Sequence, residues 1–184
     1  MTLASTEKAK TPSAAERHGS LSGRAIIAAI KASGIGTIAA LPDITTAEGL
    51  LKPLAKERDL RLVMVCKEDE GIGICAGLGY CGKRSLLLIQ STGLMDSVNA
   101  LRAIAAEYGQ PICMMVGLIG NEGSRSPRDS ENVGVRIVPR ILDTLGIARH
   151  LLDTTSDVAL IQPAIERAYR TSSSVALLIG RPPE

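Results

Sequence analysis

The sequence predicts an α/β domain: a doubly wound, mostly parallel sheet of about six strands with helices on both faces. Three observations carry this reading. Short apolar runs alternate with longer segments of helical period along nearly the whole chain. Most of those runs are apolar at successive positions, as strands covered on both faces require. The segments between them are long enough to serve as the crossover helices that parallel strands need. A chain of 184 residues has room for one such domain and a short tail.

Residues 1–17 are rich in Lys, Ser, Thr, Ala and Glu without a sustained period and are expected to form a flexible arm, with the domain spanning 18–184. SLSGRAIIAAIKASG has the apolar spacing of a helix and closes at Gly34, and GTIAALP reads as a strand stopped by Pro42. The alternation then repeats with TTAEGLLKPLAKERD as helix, LRLVMVC as strand, EDEGIGICAGLGYCGK as helix and SLLLIQ as strand. DSVNALRAIAAEYG is the next helix and PICMMVGLI the next strand, followed by a polar loop, GNEGSRSPRDSEN. The helix VGVRIVPRILDTLG, a short extended ARHLLD, the helix SDVALIQPAIERAYR and the strand SSVALLIG complete the chain. Pro139 and Pro163 fall inside the two late helices, which must start later or kink there. Ligands of such sheets collect at the carboxyl ends of strands, so the segments after Leu41, Cys66, Gln90 and Ile119 are the ones to watch.

Composition excludes several classes. Hydrophobic residues make up 45% and charged residues 22%, enough to bury a core. The formal net charge of +2 is too small to hold nucleic acid or acidic lipid by charge alone, and without Phe or Trp there is no platform on which bases could stack. No uncharged apolar stretch has the roughly 18 residues of a membrane helix, and the start has no apolar signal core, so a cytoplasmic protein is expected. Cys66, Cys75, Cys81 and Cys113 form no CxxC pair, and with His18 and His150 as the only histidines no metal site is expected. Four reduced, mostly buried thiols are the expectation. His150 has no obvious partner and reads as structural.

The segment from Glu68 to Lys83 carries Gly71, Gly73, Gly77, Gly79 and Gly82. Each glycine inside a helix costs about 1 kcal/mol relative to Ala, so this concentration calls for a close approach by a backbone, a subunit or a ligand. Three carboxylates, Glu68, Asp69 and Glu70, open it, where the helix dipole favours negative charge. No GxGxxG or GxxxxGK[ST] run occurs, which disfavours a phosphate loop.

CKEDEGIGICAGLGYCGK, SLLLIQSTGLMDSVNALRAIAAEYGQPICMMV and TIAALPD resemble the pyrimidine-binding domain of the thiamine-diphosphate-dependent 2-oxoacid decarboxylases, in their sulfopyruvate and phosphonopyruvate branch. The resemblance runs from about Arg24 to Pro182 and is looser after Gly120. In that family a glutamate stands a fixed distance before an Ala-Gly pair; here the pair is Ala76-Gly77 and the matching carboxylate is Glu68, with Glu70 as runner-up. By resemblance Glu68 is the catalytic residue and hydrogen-bonds N1′ of the cofactor's aminopyrimidine. A carboxylate that shares a proton with a ring nitrogen needs a site shielded from water. Gln90, Ser91, Thr92 and Gly93 match the family's turn after the third strand, and with Pro42 and Asn99 they are the implied cofactor-binding residues.

Thiamine-diphosphate enzymes also hold Mg²⁺ and the diphosphate with a GDG run and a later Asn, because hard cations need oxygen ligands. No GDG occurs here. The resemblance therefore implies a cofactor shared with a partner beta subunit that carries GDG…N and binds the Mg²⁺, in a homo- and hetero-oligomer. Where the family commonly has W-R-G after the fourth strand, this chain has Leu118-Ile119-Gly120. Arg125 and Arg128 in the following loop are the candidates to replace that Arg as substrate ligands, together with Asp43. The expected activity is that of a carboxy-lyase subunit acting on a short anionic 2-oxoacid such as 3-sulfopyruvate or phosphonopyruvate. The alternatives are a thiamine-diphosphate-dependent carboligase or acyl-transfer subunit and a non-catalytic flavodoxin-like binding domain.

Overall fold

Alternate residues of a strand point to opposite faces, and in the inner strands both sets are apolar, so the middle of the sheet is buried on both sides. The computed structural model describes residues 19–122 and 125–184. The predicted arm and His18 lie outside them. Six strands form one sheet in the order β2-β1-β3-β4-β6-β5, every neighbouring pair parallel. They are β1 (Thr37–Ala40), β2 (Arg61–Met64), β3 (Ser85–Gln90), β4 (Cys113–Gly117), β5 (Ala148–Leu152) and β6 (Val175–Ile179). This is the doubly wound fold the alternation predicts.

Ile38, Ala40, Leu86, Leu88, Met115 and Leu177 face one core, which packs against α1 (Gly23–Ala32), α2 (Lys52–Leu54) and α8 (Ile161–Arg170). Ala39, Leu87, Ile89, Met114, Val116 and Leu178 face the other. That second core is covered by α3 (Glu68–Tyr80), by α4 (Ser91–Asp96) and α5 (Val98–Ala100), and by α6 (Val133–Arg136) and α7 (Val138–Thr144). Among the described residues no helix is long and apolar enough to cross a membrane.

Several boundaries differ from those expected. The second helix ends at Leu54 and opens with wide π-helical turns over Ala47–Leu51. Pro139 and Pro163 sit within the first turns of α7 and α8, where a missing N–H breaks no helical bond; those helices start one and two residues before them, later than the apolar patterns begin, as expected. The helix expected from Asp96 instead begins at Ser91, directly after β3, and continues through α5 into π-helical turns over Leu101–Glu107. The turn expected at Gln90–Leu94 is thus the first helical turn.

The chain's last residues are clamped to α1. Gly23 N donates to Glu184 O at 2.8 Å and Glu184 N to Leu21 O at 2.8 Å. A Cβ on Gly49 would stand 1.9 Å from Pro183 O, a backbone atom with little freedom to move. Gly49→Ala is therefore expected to lower stability by roughly 1–3 kcal/mol, read as a lower denaturant midpoint. An unchanged midpoint would show that the tail is not held there.

Only two of the four thiols are buried, fewer than expected. Cys75 and Cys113 lie in the cores, where burial pushes their thiols up to about 11 and about 12. Cys66 follows edge strand β2 and Cys81 caps α3, and both are exposed. In the native protein a thiol reagent should titrate Cys66 and Cys81 quickly and spare the buried pair until denaturant is added. Fast reaction at all four would contradict the packing. His150, half-buried on β5, is held below its ordinary value by desolvation, with the Arg167 charge adding to it.

Candidate functional site

The link from β1 to β2 runs over the face of α2, whereas the link from β3 to β4 runs over the opposite face. The chain therefore leaves the carboxyl ends of β1 and β3 in opposite directions, the kind of position at which ligands of such sheets bind. Leu41-Pro42-Asp43 lies on one side and Gln90-Ser91-Thr92-Gly93 on the other, with the start of α3 beside them.

Glu68 and Gly93 come from different crossovers, yet they share one space. A Cβ built on Gly93 would fall 2.0 Å from Glu68 Oε1 and 2.2 Å from its Cδ, so the half-buried carboxylate lies directly on the glycine. No hydrogen bond or ion pair engages Glu68 among the described residues. Its neighbours are occupied. Glu70 Oε2 accepts the Cys66 and Lys67 N–H groups at 2.9 and 3.2 Å, which makes Glu70 the carboxylate that caps α3. Lys67 Nζ lies 3.6 Å from both Asp69 and Asp96 and ties the start of α3 to the end of α4.

Ser91 is fully buried, and its hydroxyl finds no partner among the described residues. A buried hydroxyl in that state is costly and marks a place where a polar group is wanted. Thr92 is exposed and its hydroxyl donates to Gln90 Oε1 at 2.9 Å. Asn99 is exposed two turns along, where its Oδ1 accepts from Arg102 Nε and Nη2.

Pro42 is exposed at the end of β1, while Asp43 is buried. Asp43 Oδ1 accepts the Thr45 and Thr46 N–H groups at 2.6 and 3.0 Å, and Oδ2 accepts the Thr46 hydroxyl, so the carboxylate holds its own turn. Gly117 on β4 makes room for it, since a Cβ there would stand 2.9 Å from Asp43 Oδ1. Ile44 projects from this turn 77% exposed. Sequence reasoning passed over Ile44 and Gly117; the one available signal was an apolar residue after the proline that belongs to neither a strand nor a helix pattern.

Arg125 lies between Glu131 at 2.6 Å and Glu122 at 3.5 Å, and the Glu131 carboxylate raises its pKa. Arg128 pairs with Asp143, which also pairs with Arg149. Among the described residues no hydrogen bond or ion pair joins Asn99, Arg125 or Arg128 to Glu68 or to Gln90–Gly93. Asn121, four residues after β4, donates to Gly180 O at 2.8 Å while its Oδ1 is buried without a partner among the described residues. No group of three or more His, Cys, Asp or Glu that could hold a metal occurs among the described residues.

No family model matches the chain. Curated relatives do. The sulfopyruvate decarboxylase subunit alpha of Methanococcus maripaludis is 28% identical over 158 residues, 84% of this chain and 92% of the relative. That of Methanocaldococcus jannaschii is 28% identical over 155 residues, 84% of this chain and 90% of the relative. A sulfopyruvate decarboxylase of Methanosarcina acetivorans is 30% identical over 157 residues, 84% of this chain but 39% of that longer protein. The family resemblance that the motifs around Glu68 and Gln90 carry is thus a resemblance to sulfopyruvate decarboxylase alpha subunits over most of the chain.

Proposed function

We propose that this chain is the pyrimidine-binding, alpha-type subunit of a cytoplasmic thiamine-diphosphate-dependent 2-oxoacid decarboxylase, with short anionic substrates, sulfopyruvate before phosphonopyruvate. The observation that carries the reading is Glu68 seated on Gly93, with no hydrogen-bond or ionic partner for its carboxylate among the described residues. The Ser91 hydroxyl, two residues before Gly93, buried and without a partner among the described residues, fits the same conclusion: polar groups here are arranged for a ligand. The relatives' names, two of which say subunit alpha, support a decarboxylase assembled from unlike chains. The longer Methanosarcina protein, named without "subunit", suits an arrangement in which both halves share one chain. Four free thiols suit a reducing compartment.

In this reading thiamine diphosphate, when bound, supplies the electron sink that lets the carboxylate of a 2-oxoacid leave as carbon dioxide. Glu68 holds a proton at a ring nitrogen of that cofactor. Gly93 leaves the carboxylate its place, and Pro42, Gln90, Ser91, Thr92 and Asn99 are the residues that would hold the cofactor's pyrimidine end. Asp43 serves the substrate through the turn it stiffens. The diphosphate and its Mg²⁺ belong to a partner subunit with GDG…N, and docking of that partner removes water from the half-buried Glu68.

Arg125 and Arg128 are the substrate's anion ligands in this proposal. Both are exposed and held by carboxylates of weakly bound surface pairs, so a substrate anion can exchange with Glu131 or Asp143. The test is steady-state decarboxylation of sulfopyruvate, phosphonopyruvate and pyruvate by the chain assembled with a GDG-bearing partner. The anionic substrates should be preferred, and Arg125→Ala or Arg128→Ala should raise KM for them by about ten- to a hundredfold with kcat little changed. Preference for pyruvate, or unchanged KM in both variants, would sink the anion-binding role; no turnover of any of the three would sink the decarboxylase reading.

A further inference from the structure

A second cleft, of about 870 Å³, lies at the opposite, amino-terminal edge of the sheet, between the starts of β1 and β2 and the end of α3. Its size falls in the range of small-molecule sites. Its lining contains three cations, Arg61, Lys83 and Arg84, and no carboxylate. The acids nearest Arg61 in sequence are already committed, since Glu57 and Asp59 both pair with Lys31 at 2.8 Å. Among the described residues neither Arg61 nor Lys83 has an ionic partner.

The third cation is positioned by neutral groups. Arg84 donates from Nη1 to Ser33 O at 2.8 Å, and its guanidinium lies 5.1 Å from the centre of the Tyr169 ring. Nor is the Lys83 ammonium used to close α3, because backbone N–H groups of Cys81, Gly82 and Lys83 satisfy the last carbonyls. Gly36 and Gly82 leave the wall open: a Cβ at either would meet nothing within 4 Å. Val63, Ile74 and Leu78 add a half-buried apolar side.

Like charges gathered without counter-charge repel one another, and a bound anion removes that repulsion. We infer that this cleft is a binding site, separate from the Glu68 site, for a small organic polyanion: a phosphate ester of nucleotide size whose charged end meets Arg61, Lys83 and Arg84 and whose body lies on Val63, Ile74 and Leu78. Two guanidinium forks and an ammonium suit phosphate oxygens, and the apolar side suits a planar ring. The site does not depend on the decarboxylase reading.

The test uses the assembled protein, ATP as the probe and inorganic diphosphate as competitor, with calorimetry as the readout. ATP should bind saturably, diphosphate should displace it, and added salt should weaken it. Arg61→Ala combined with Lys83→Ala, both at exposed positions, should weaken binding at least about tenfold, a loss of about 1.4 kcal/mol. Arg140→Ala combined with Arg170→Ala, which removes the same charge elsewhere, should leave it unchanged. No saturable binding, no displacement by diphosphate, or an equal loss in both double variants would each overturn the assignment.

Discussion

Glu68→Gln in the assembled enzyme is expected to abolish proton exchange at C2 of bound thiamine diphosphate, and turnover with it, by a factor on the order of 10²–10⁴. Gln keeps the shape of Glu but cannot hold the proton that the ring nitrogen must share. Folding should be little affected, because no hydrogen bond of the described structure rests on the Glu68 carboxylate and only its charge at the α3 N-terminus is lost, roughly 0.3–1 kcal/mol. Glu70→Gln is the informative contrast. Its side-chain carbonyl can still accept the Cys66 and Lys67 N–H groups, so the loss should be confined to the charge at the α3 N-terminus, roughly 0.3–1 kcal/mol of stability, with exchange retained. Should Glu70→Gln be the silent-exchange variant instead, the catalytic role moves to Glu70; if neither substitution affects exchange, the cofactor assignment falls.

Gly93→Ala should separate activity from stability. The added methyl would stand 2.0 Å from Glu68 Oε1 and 2.3 Å from its Cγ. Those atoms belong to a flexible side chain that can swing aside, so the fold survives; the helical position even gains up to about 1 kcal/mol from replacing Gly with Ala. What cannot survive is the placement of the carboxylate. A displacement of about an ångström in a catalytic group costs on the order of a hundredfold in rate, so kcat should fall by about that much while the thermal midpoint holds or rises. A variant with full kcat would show that Gly93 does not set the position of Glu68.

The four inner strands were legible from the sequence because a strand buried on both faces must be apolar at successive positions, as SLLLIQ and SSVALLIG are, whereas the partly exposed edge strands β2 and β5 could be read only as short extended runs between helical segments. Glu68 was one of three adjacent carboxylates opening a helix otherwise built of glycine and apolar residues, and only the family resemblance, through its spacing from Ala76-Gly77, singled it out. Helix boundaries were less legible. Ser91 starts α4 although Gln90–Leu94 reads as a turn, because the helix follows β3 without a break and no capping side chain announces it.

Exposure of Cys66 and Cys81 was also beyond periodicity, since it follows from β2 standing at the sheet edge and from the end of α3. The sequence by itself determined which segments are strands and helices, and which carboxylates could serve, because burial imposes its period locally. Only the tertiary structure decided that Glu68 rests on Gly93, that Gly117 makes room for Asp43, and that Arg61, Lys83 and Arg84 line one cleft. Those placements bring together residues far apart in the chain, and they depend on the strand order β2-β1-β3-β4-β6-β5 and on which face each crossover covers, neither of which any local pattern encodes, whereas the Glu70 cap and the Asp43 turn are local contacts.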